Sequence, residues 1–540
     1  MIYFLLALFS FSKPEQIQAD RIVMNAKIYT VDSAFTVAEA MAIFDGRIMA
    51  IGSNDSIMAN YWSLTVDDME GKIIYPGFID PHCHFLNYGI QKSYTDLTNT
   101  TSFLDVTERI KLHNTSKTGG WVIGRGWDQN DWPIKEFPDK TALDQIFPDK
   151  PVYLIRVDGH AALVNSKALE MTGINEKTVV EGGVVEIKNG KCTGILLDNA
   201  MELVNKKMPT KTKTFLQNAL LIAQEDCFKV GLTSVQDAGL DVWEIQNIKA
   251  LDEAKKLEMR MYVMVNAGEK NFNYFKENGG IYTDHLRVQS FKYYADGALG
   301  SRGASLLKPY SDDPGNTGIL YFPYDSLLKE AQKIYDMGFQ MCTHAIGDSA
   351  NRIMLNIYGA ILQGKNDLRW RIEHCQVVNK NDINKFSKYS IIPSVQPTHC
   401  TSDMYWADER LGSERIKSAY AYKDLLKQNG FIVNGSDFPV EGINPLFGFY
   451  AAVSRKDQKN FPEKGFQKEN ALTRQEALRG MTIWAAYASF EEDEKGSLEP
   501  GKYADYVVLE KDIMTIPEND LWNVKVLQTV VGGRIMYESK

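Results

Sequence analysis

The chain has 540 residues, 44% of them hydrophobic and 24% charged, which is the balance of a soluble globular protein and excludes a disordered, collagen-like or coiled-coil chain. At about 150 residues per domain this is roughly three to four units, although a single α/β barrel takes about 250 by itself. Lys and Arg number 60 against 69 Asp and Glu, a net charge of −9 with no long basic run, so nucleic acid and anionic membrane surfaces are poor partner candidates.

Residues 2–11 (IYFLLALFSF) form an apolar run closed by Ser12-Lys13-Pro14. A run of about ten residues is too short to span a bilayer, which needs roughly twenty, but it has the length of a secretory signal core. No positive residue precedes it and no small-x-small cleavage site follows. Residues 1–19 are therefore read as a signal segment of a periplasmic or secreted protein, with a cytoplasmic protein as the alternative.

After Asp20 the texture becomes short strands with turn signals: RIVMNAKIYTVD, TVAEAMAIFDGRIMAIG with Asp45-Gly46 as a hairpin turn, and GKIIYPGF. The last forty residues repeat it, with YADYVVLEKD and VKVLQTVVGGRIMY. Neither end buries enough surface alone, so a composite β-sandwich built from 20–75 and 490–540 is expected.

Residues 76–489 then hold a (β/α)8 barrel. Its expected strands are 73–84, 231–239, 259–268, 286–297, 338–348, 370–374, 391–397 and 431–439, with amphipathic helices such as YDSLLKEAQKIYDMG between them. The interval between the first two strands is too long for one βα connection, and a β-rich, lid-like insert is expected at about 115–205. Insertions of this kind sit over the C-terminal face of a barrel. Six scattered cysteines with no CxxC pair read as small buried hydrophobes and not as a disulfide framework.

The histidines carry the chemical signal. His82 and His84 close the first expected strand at i and i+2, on one face, where two imidazoles can converge on a metal. Only eight histidines exist in the chain. His344 ends the fifth strand, His374 the sixth, His399 follows the seventh, and Asp437 ends the eighth. Barrel strand ends meet at one mouth, so a metal site is expected there. Lys292, near the end of the fourth strand, either becomes a carbon dioxide-derived carbamate bridging two metals, or pairs with Asp296, or reaches to the barrel rim.

PGFIDPHCHF, the ordered set Lys292, His344, His374 and Asp437, and motifs such as FKYYADGALGSRGA, THAIGD, RIEHCQ and NGSDFPV resemble the metal-dependent amidohydrolase superfamily, in particular its amidohydrolase-3 branch with N-substituted formamide deformylases. The resemblance runs from Arg21 to Tyr537. It implies that His82, His84 and Asp437 hold one divalent metal, His344 and His374 a second, and carboxylated Lys292 bridges them. Zinc suits this donor set, and iron, manganese and nickel are compatible with it. It further implies metal-assisted hydrolysis with Asp437 as the proton carrier.

Other residues are read two ways. His399 donates to a substrate carbonyl or pairs with Asp403. Arg302 holds a substrate carboxylate or makes a rim salt bridge. Asp158 and His160 complete the pocket or shape a turn. Trp127, with Trp132, walls the pocket or packs a core. The expected function is hydrolysis of a non-peptide C–N bond in a small molecule. A lactone or ester hydrolase with the same centre is the first rival, and a non-catalytic metal-binding protein the second. A homodimer is compatible with the sequence.

Overall fold

The computed structural model describes residues 16–114, 120–156, 161–180, 183–208 and 211–540. The apolar run of residues 2–11, and with it the expected signal segment up to residue 15, lies outside them. The chain divides into two compact units, one of residues 1–85 with 224–540 and one of 86–223.

In the first unit, two sheets lie outside the barrel, one built from the N-terminal segment alone and one joining both ends of the chain. One runs in the order Arg47–Gly52, Ala40–Phe44, Arg21–Met24, Val66–Asp68. The other runs Arg534–Glu538, Val526–Val531, Tyr506–Leu509, Ile73–Pro76, Lys27–Tyr29, Val37–Ala38, so that strands some 430 positions apart in sequence lie side by side. Asp45 and Gly46, both at positive φ (48° and 72°), make the expected hairpin turn. Val23, Ile28, Met41, Ile74, Tyr506, Val508 and Val530 share one buried core. Beside it, Asp512 accepts from Lys27 Nζ at 2.7 Å, Tyr29 Oη at 3.0 Å and Tyr75 Oη at 2.8 Å, tying both termini together.

The expected strand 73–84 is two strands. Ile73–Pro76 belongs to the composite sheet, and the chain then enters the barrel at Phe78. Gly77 makes the crossing, because a Cβ there would lie 2.2 Å from Thr233 Oγ1.

Eight parallel strands form the barrel: β1 (Phe78–Cys83), β2 (Leu232–Leu240), β3 (Arg260–Asn266), β4 (Leu286–Tyr294), β5 (Gln340–Ala345), β6 (Arg371–His374), β7 (Ile392–Val395) and β8 (Val433–Asn434), each paired with the next in chain order. The ring closes beyond the end of β8, where Asp437 N–H donates to His82 O and His84 N–H to Phe438 O, both at 2.7 Å. Gly435 permits this approach, since a Cβ would come 2.8 Å from His82 N. Helix Tyr324–Asp336 buries Leu327, Ala331 and Ile334, the i, i+4, i+7 stripe its sequence promised. At the opposite end Gln236 and Gln340 donate to the carbonyls of Ala485 and Ala488, so the interior is packed and not a pore.

The second unit has a mixed sheet in the order Thr95–Asp96, Val122–Trp127, Val152–Arg156, Ala161–Val164, Lys191–Asp198, Gly183–Lys188. Leu97, Val106, Trp127, Leu154, Leu163 and Ile195 pack its core. Among the described residues no helix is long and apolar enough to cross a membrane.

Candidate metal centre

Strand alternation places His82 inside the barrel, and the chain turning out of β1 brings His84 beside it, with ring centroids 5.9 Å apart. The intervening Cys83 points away, its Sγ 3.6 Å from Gln236 O. Two other contributors need an unusual backbone. His374 follows the inward-facing Glu373, so simple alternation would turn it outward, but its φ of 75° breaks the pleat and returns the ring to the mouth. Asp437 has φ 63°. Left-handed backbone at non-glycine residues costs of order 1 kcal/mol or more each, and it clusters where geometry matters for function.

The side chains from six strand ends meet closely. His82 and His374 have ring centroids 4.9 Å apart, and His344 and His374 4.4 Å. Asp437 Oδ1 lies 3.2 Å from His84 Nε2 and 3.6 Å from His82 Nε2. Asp437 Oδ2 lies 3.3 Å from His399 Nε2, and Lys292 Nζ is 3.3 Å from His82 Nε2.

Burial sets the electrostatics. It lowers His82 to about 4 and His344 to about 3, helped in both by the Lys292 charge, and holds His374 well below the usual histidine range. These imidazoles are neutral at pH 7 and present lone pairs. Burial likewise lowers the Lys292 ammonium. Burial would raise Asp437, but hydrogen bonds from His399 and His84 outweigh it and hold the carboxylate well below its ordinary value. His399 goes the other way. Carboxylates at both ring nitrogens, Asp437 and Glu441, overcome burial and raise it to about 10.

These donors fit a metal ion. One ligand atom each from His82, His374 and Asp437 lies within 4.8 Å of the others, and all three residues are buried. His344 Nε2 is buried without a hydrogen bond among the described residues, an expensive arrangement that a cation relieves. Outer partners fix the rings. Glu373 Oε2 accepts from His82 Nδ1 at 2.5 Å and Gln396 Oε1 from His374 Nδ1 at 2.7 Å, leaving each Nε2 to face the mouth.

The residues with two readings take the following places. Lys292 is 1% exposed and does not reach the rim. Asp296 does not pair with it, because its carboxylate accepts from the backbone N–H groups of Ser305, Ile346 and Gly347. Asp403 takes Gln376 and Tyr420, so His399 pairs with Asp437 and Glu441 instead. Arg302 makes the salt bridge, Nη2 to Asp312 Oδ2 at 2.8 Å. Trp127 is 1% exposed and donates Nε1–H to Leu154 O at 2.9 Å, so it packs the core of its unit rather than walling a pocket. Asp158 and His160 lie outside the described residues. Glu373, Gln396 and Glu441 were missed. Glu373 had a signal: Arg371 and Glu373 at i and i+2 in a barrel strand face the same interior and have to pair, as they do at 2.9 Å. A cavity of about 1300 Å³ runs beside β4 between Phe272, Phe275, Tyr293 and Phe339; Lys292 and Tyr294 line it, and none of the mouth histidines does.

A barrel with histidines and an aspartate converging at its mouth defines a metal-dependent hydrolase class. The chain belongs to the amidohydrolase family, whose pattern matches residues 65–537. It is 33% identical over 98% of its length to Protein LONG AFTER FAR-RED 3 of Arabidopsis thaliana, covering 93% of that protein. It is 26% identical to N-substituted formamide deformylase of Arthrobacter pascens, over 96% of this chain and 98% of that one. A crystal structure of an uncharacterized metal-dependent hydrolase from Pyrococcus horikoshii is similar with a TM-score of 0.79 at 27% identity, over 92% of this chain and 99% of that one.

Proposed function

We propose that the protein hydrolyses a non-peptide C–N bond, in an N-formyl amine, amide or cyclic amide, at a divalent metal centre in the barrel mouth. The observation that carries this reading is the convergence of His82, His374 and Asp437 in a chain of the amidohydrolase family, one relative of which is an N-substituted formamide deformylase.

In this reading His82, His84 and Asp437 hold one ion and His344 and His374 a second, with zinc suited to the donors. Lys292, buried and with its ammonium lowered, would take up carbon dioxide with loss of a proton and so supply anionic oxygens to the site. A bound metal supplies a Lewis acid and lowers the pKa of water towards about 7. The chain's own groups do the rest. Asp437 accepts the proton of the attacking water and passes it to the leaving nitrogen. His399, with a carboxylate at each ring nitrogen, carries an N–H to donate to the carbonyl oxygen as charge grows there.

The test is a panel of formanilides, aliphatic amides, cyclic imides and lactones, run with zinc or manganese. Amine release supports the proposal, and turnover of lactones alone would overturn it in favour of C–O hydrolysis. Asp437→Asn is expected to lower kcat about 10²–10⁴-fold on any responsive substrate.

A further inference from the structure

The loop after β8 carries, four residues beyond Asp437, a carboxylate to which the reaction above gives no task. Glu441 Oε1 accepts from His399 Nδ1 at 3.0 Å and from Ser402 Oγ at 2.6 Å. His399 and Ser402 sit three residues apart on the helix Pro397–Asp403, on one face, so a single carboxylate oxygen clasps two side chains of the helix that follows β7. Across the ring, His399 Nε2 faces Asp437 Oδ2 at 3.3 Å, and the ring lies 26° from parallel to His374 with centroids 6.0 Å apart. An imidazole turns freely about two bonds. Anchored at Nδ1, it has one direction left for Nε2.

We propose that Glu441 is a positioning residue that holds the His399 ring with Nε2 directed at Asp437 and the reacting carbonyl. It acts through His399 and touches neither substrate nor metal. It also ties the loop bearing Asp437 to the helix bearing His399, so that the two groups keep their spacing. The inference rests on the reading of His399 as the donor to the carbonyl oxygen.

The experiment compares Glu441→Ala, Glu441→Gln, His399→Gln and the double variant His399→Gln/Glu441→Ala in the zinc-loaded enzyme, by crystal structure and by steady-state kinetics on formanilide. Loss of the clasp should rotate the ring, so that Nε2 no longer faces Asp437 in the Glu441→Ala structure. It should also lower kcat about 10²-fold with KM little changed, the cost of a misplaced group. Glu441→Gln keeps an acceptor for Nδ1–H and should retain the ring position and most of the rate. The double variant should be no slower than His399→Gln. An unmoved ring in Glu441→Ala overturns the proposal whatever the kinetics. Full activity of Glu441→Ala beside an impaired His399→Gln overturns Glu441 alone, whereas full activity of His399→Gln overturns the role of His399 and that of Glu441 with it.

Discussion

His82 Nδ1 and Glu373 Oε2 lie 2.5 Å apart, both side chains fully buried, and join the first barrel strand to the sixth. A carboxylate only accepts, so the proton sits on Nδ1 and the Nε2 lone pair faces Lys292 and Asp437. Glu373 also accepts from Arg371 Nη2 at 2.9 Å, and these opposite charges keep it ionised against burial. Glu373→Gln is therefore expected to weaken zinc binding about 10–100-fold in a chelator competition. Glu373→Ala leaves the Arg371 guanidinium buried without its counter-ion and should cost about 3–5 kcal/mol in denaturant unfolding. Unchanged zinc affinity in Glu373→Gln would remove the tautomer argument.

The proposed metal centre predicts a stability response that needs no substrate. Stripping a metal-loaded protein with a chelator would leave the neutral His344 and His374 rings crowded, with His344 Nε2 buried and unsatisfied among the described residues. Added zinc should raise the melting temperature, reaching about 2.7 kcal/mol of extra stability at a hundred times Kd. The double variant His82→Ala/His84→Ala should lose most of that shift. An equal shift in both proteins would place the binding elsewhere.

The barrel strands were legible because each is a short apolar run ending in a polar or glycine-bearing turn, and the cluster at the mouth was legible because histidine is rare in this chain and falls at those ends. What the sequence left open follows from two physical limits. Glu373, Gln396 and Glu441 act on a ring several strands away, and one chain without a structure does not say which polar side chain reaches which nitrogen. His374 and Asp437 take positive φ, which His and Asp adopt more often than most residues but still only in a minority of cases, so the sequence alone does not say which of them will. The break at Gly77 was hidden for a related reason: residues 73–79 (IIYPGFI) carry no charged residue on either side of it, and only the approach of Thr233 shows why one glycine divides the segment.

Asp512 sets a pH prediction away from the centre. Burial would raise its pKa, but hydrogen bonds from Lys27, Tyr75 and Met514 N–H outweigh that and lower it below 3.8. A depressed folded pKa contributes stability that is present above the unfolded value and lost as pH falls through the folded one. Asp512→Asn should thus cost about 1–3 kcal/mol at pH 7. The gap between variant and parent should narrow below about pH 4, as the parent carboxylate takes up its proton. Thermal melts from pH 7 to pH 3 measure this, and a gap independent of pH would show that packing alone, not charge, is lost.

Gly77→Ala tests the junction between composite sheet and barrel. The new methyl would lie 2.2 Å from Thr233 Oγ1 and 2.4 Å from its Cγ2, while Gly77 N–H is held by Asp505 O at 2.9 Å and cannot drift freely. Thr233 is itself 1% exposed, so neither partner can yield into solvent. Overpacking of this kind is expected to cost about 1–3 kcal/mol in denaturant unfolding. Adding Thr233→Ala removes both clashing atoms and leaves only the Cβ at 2.8 Å, so the double variant should regain part of the loss. A coupling of about 0.5 kcal/mol or more in that double-mutant cycle is the expected result. Strictly additive losses would mean that the glycine serves its own backbone and not the approach of the second barrel strand.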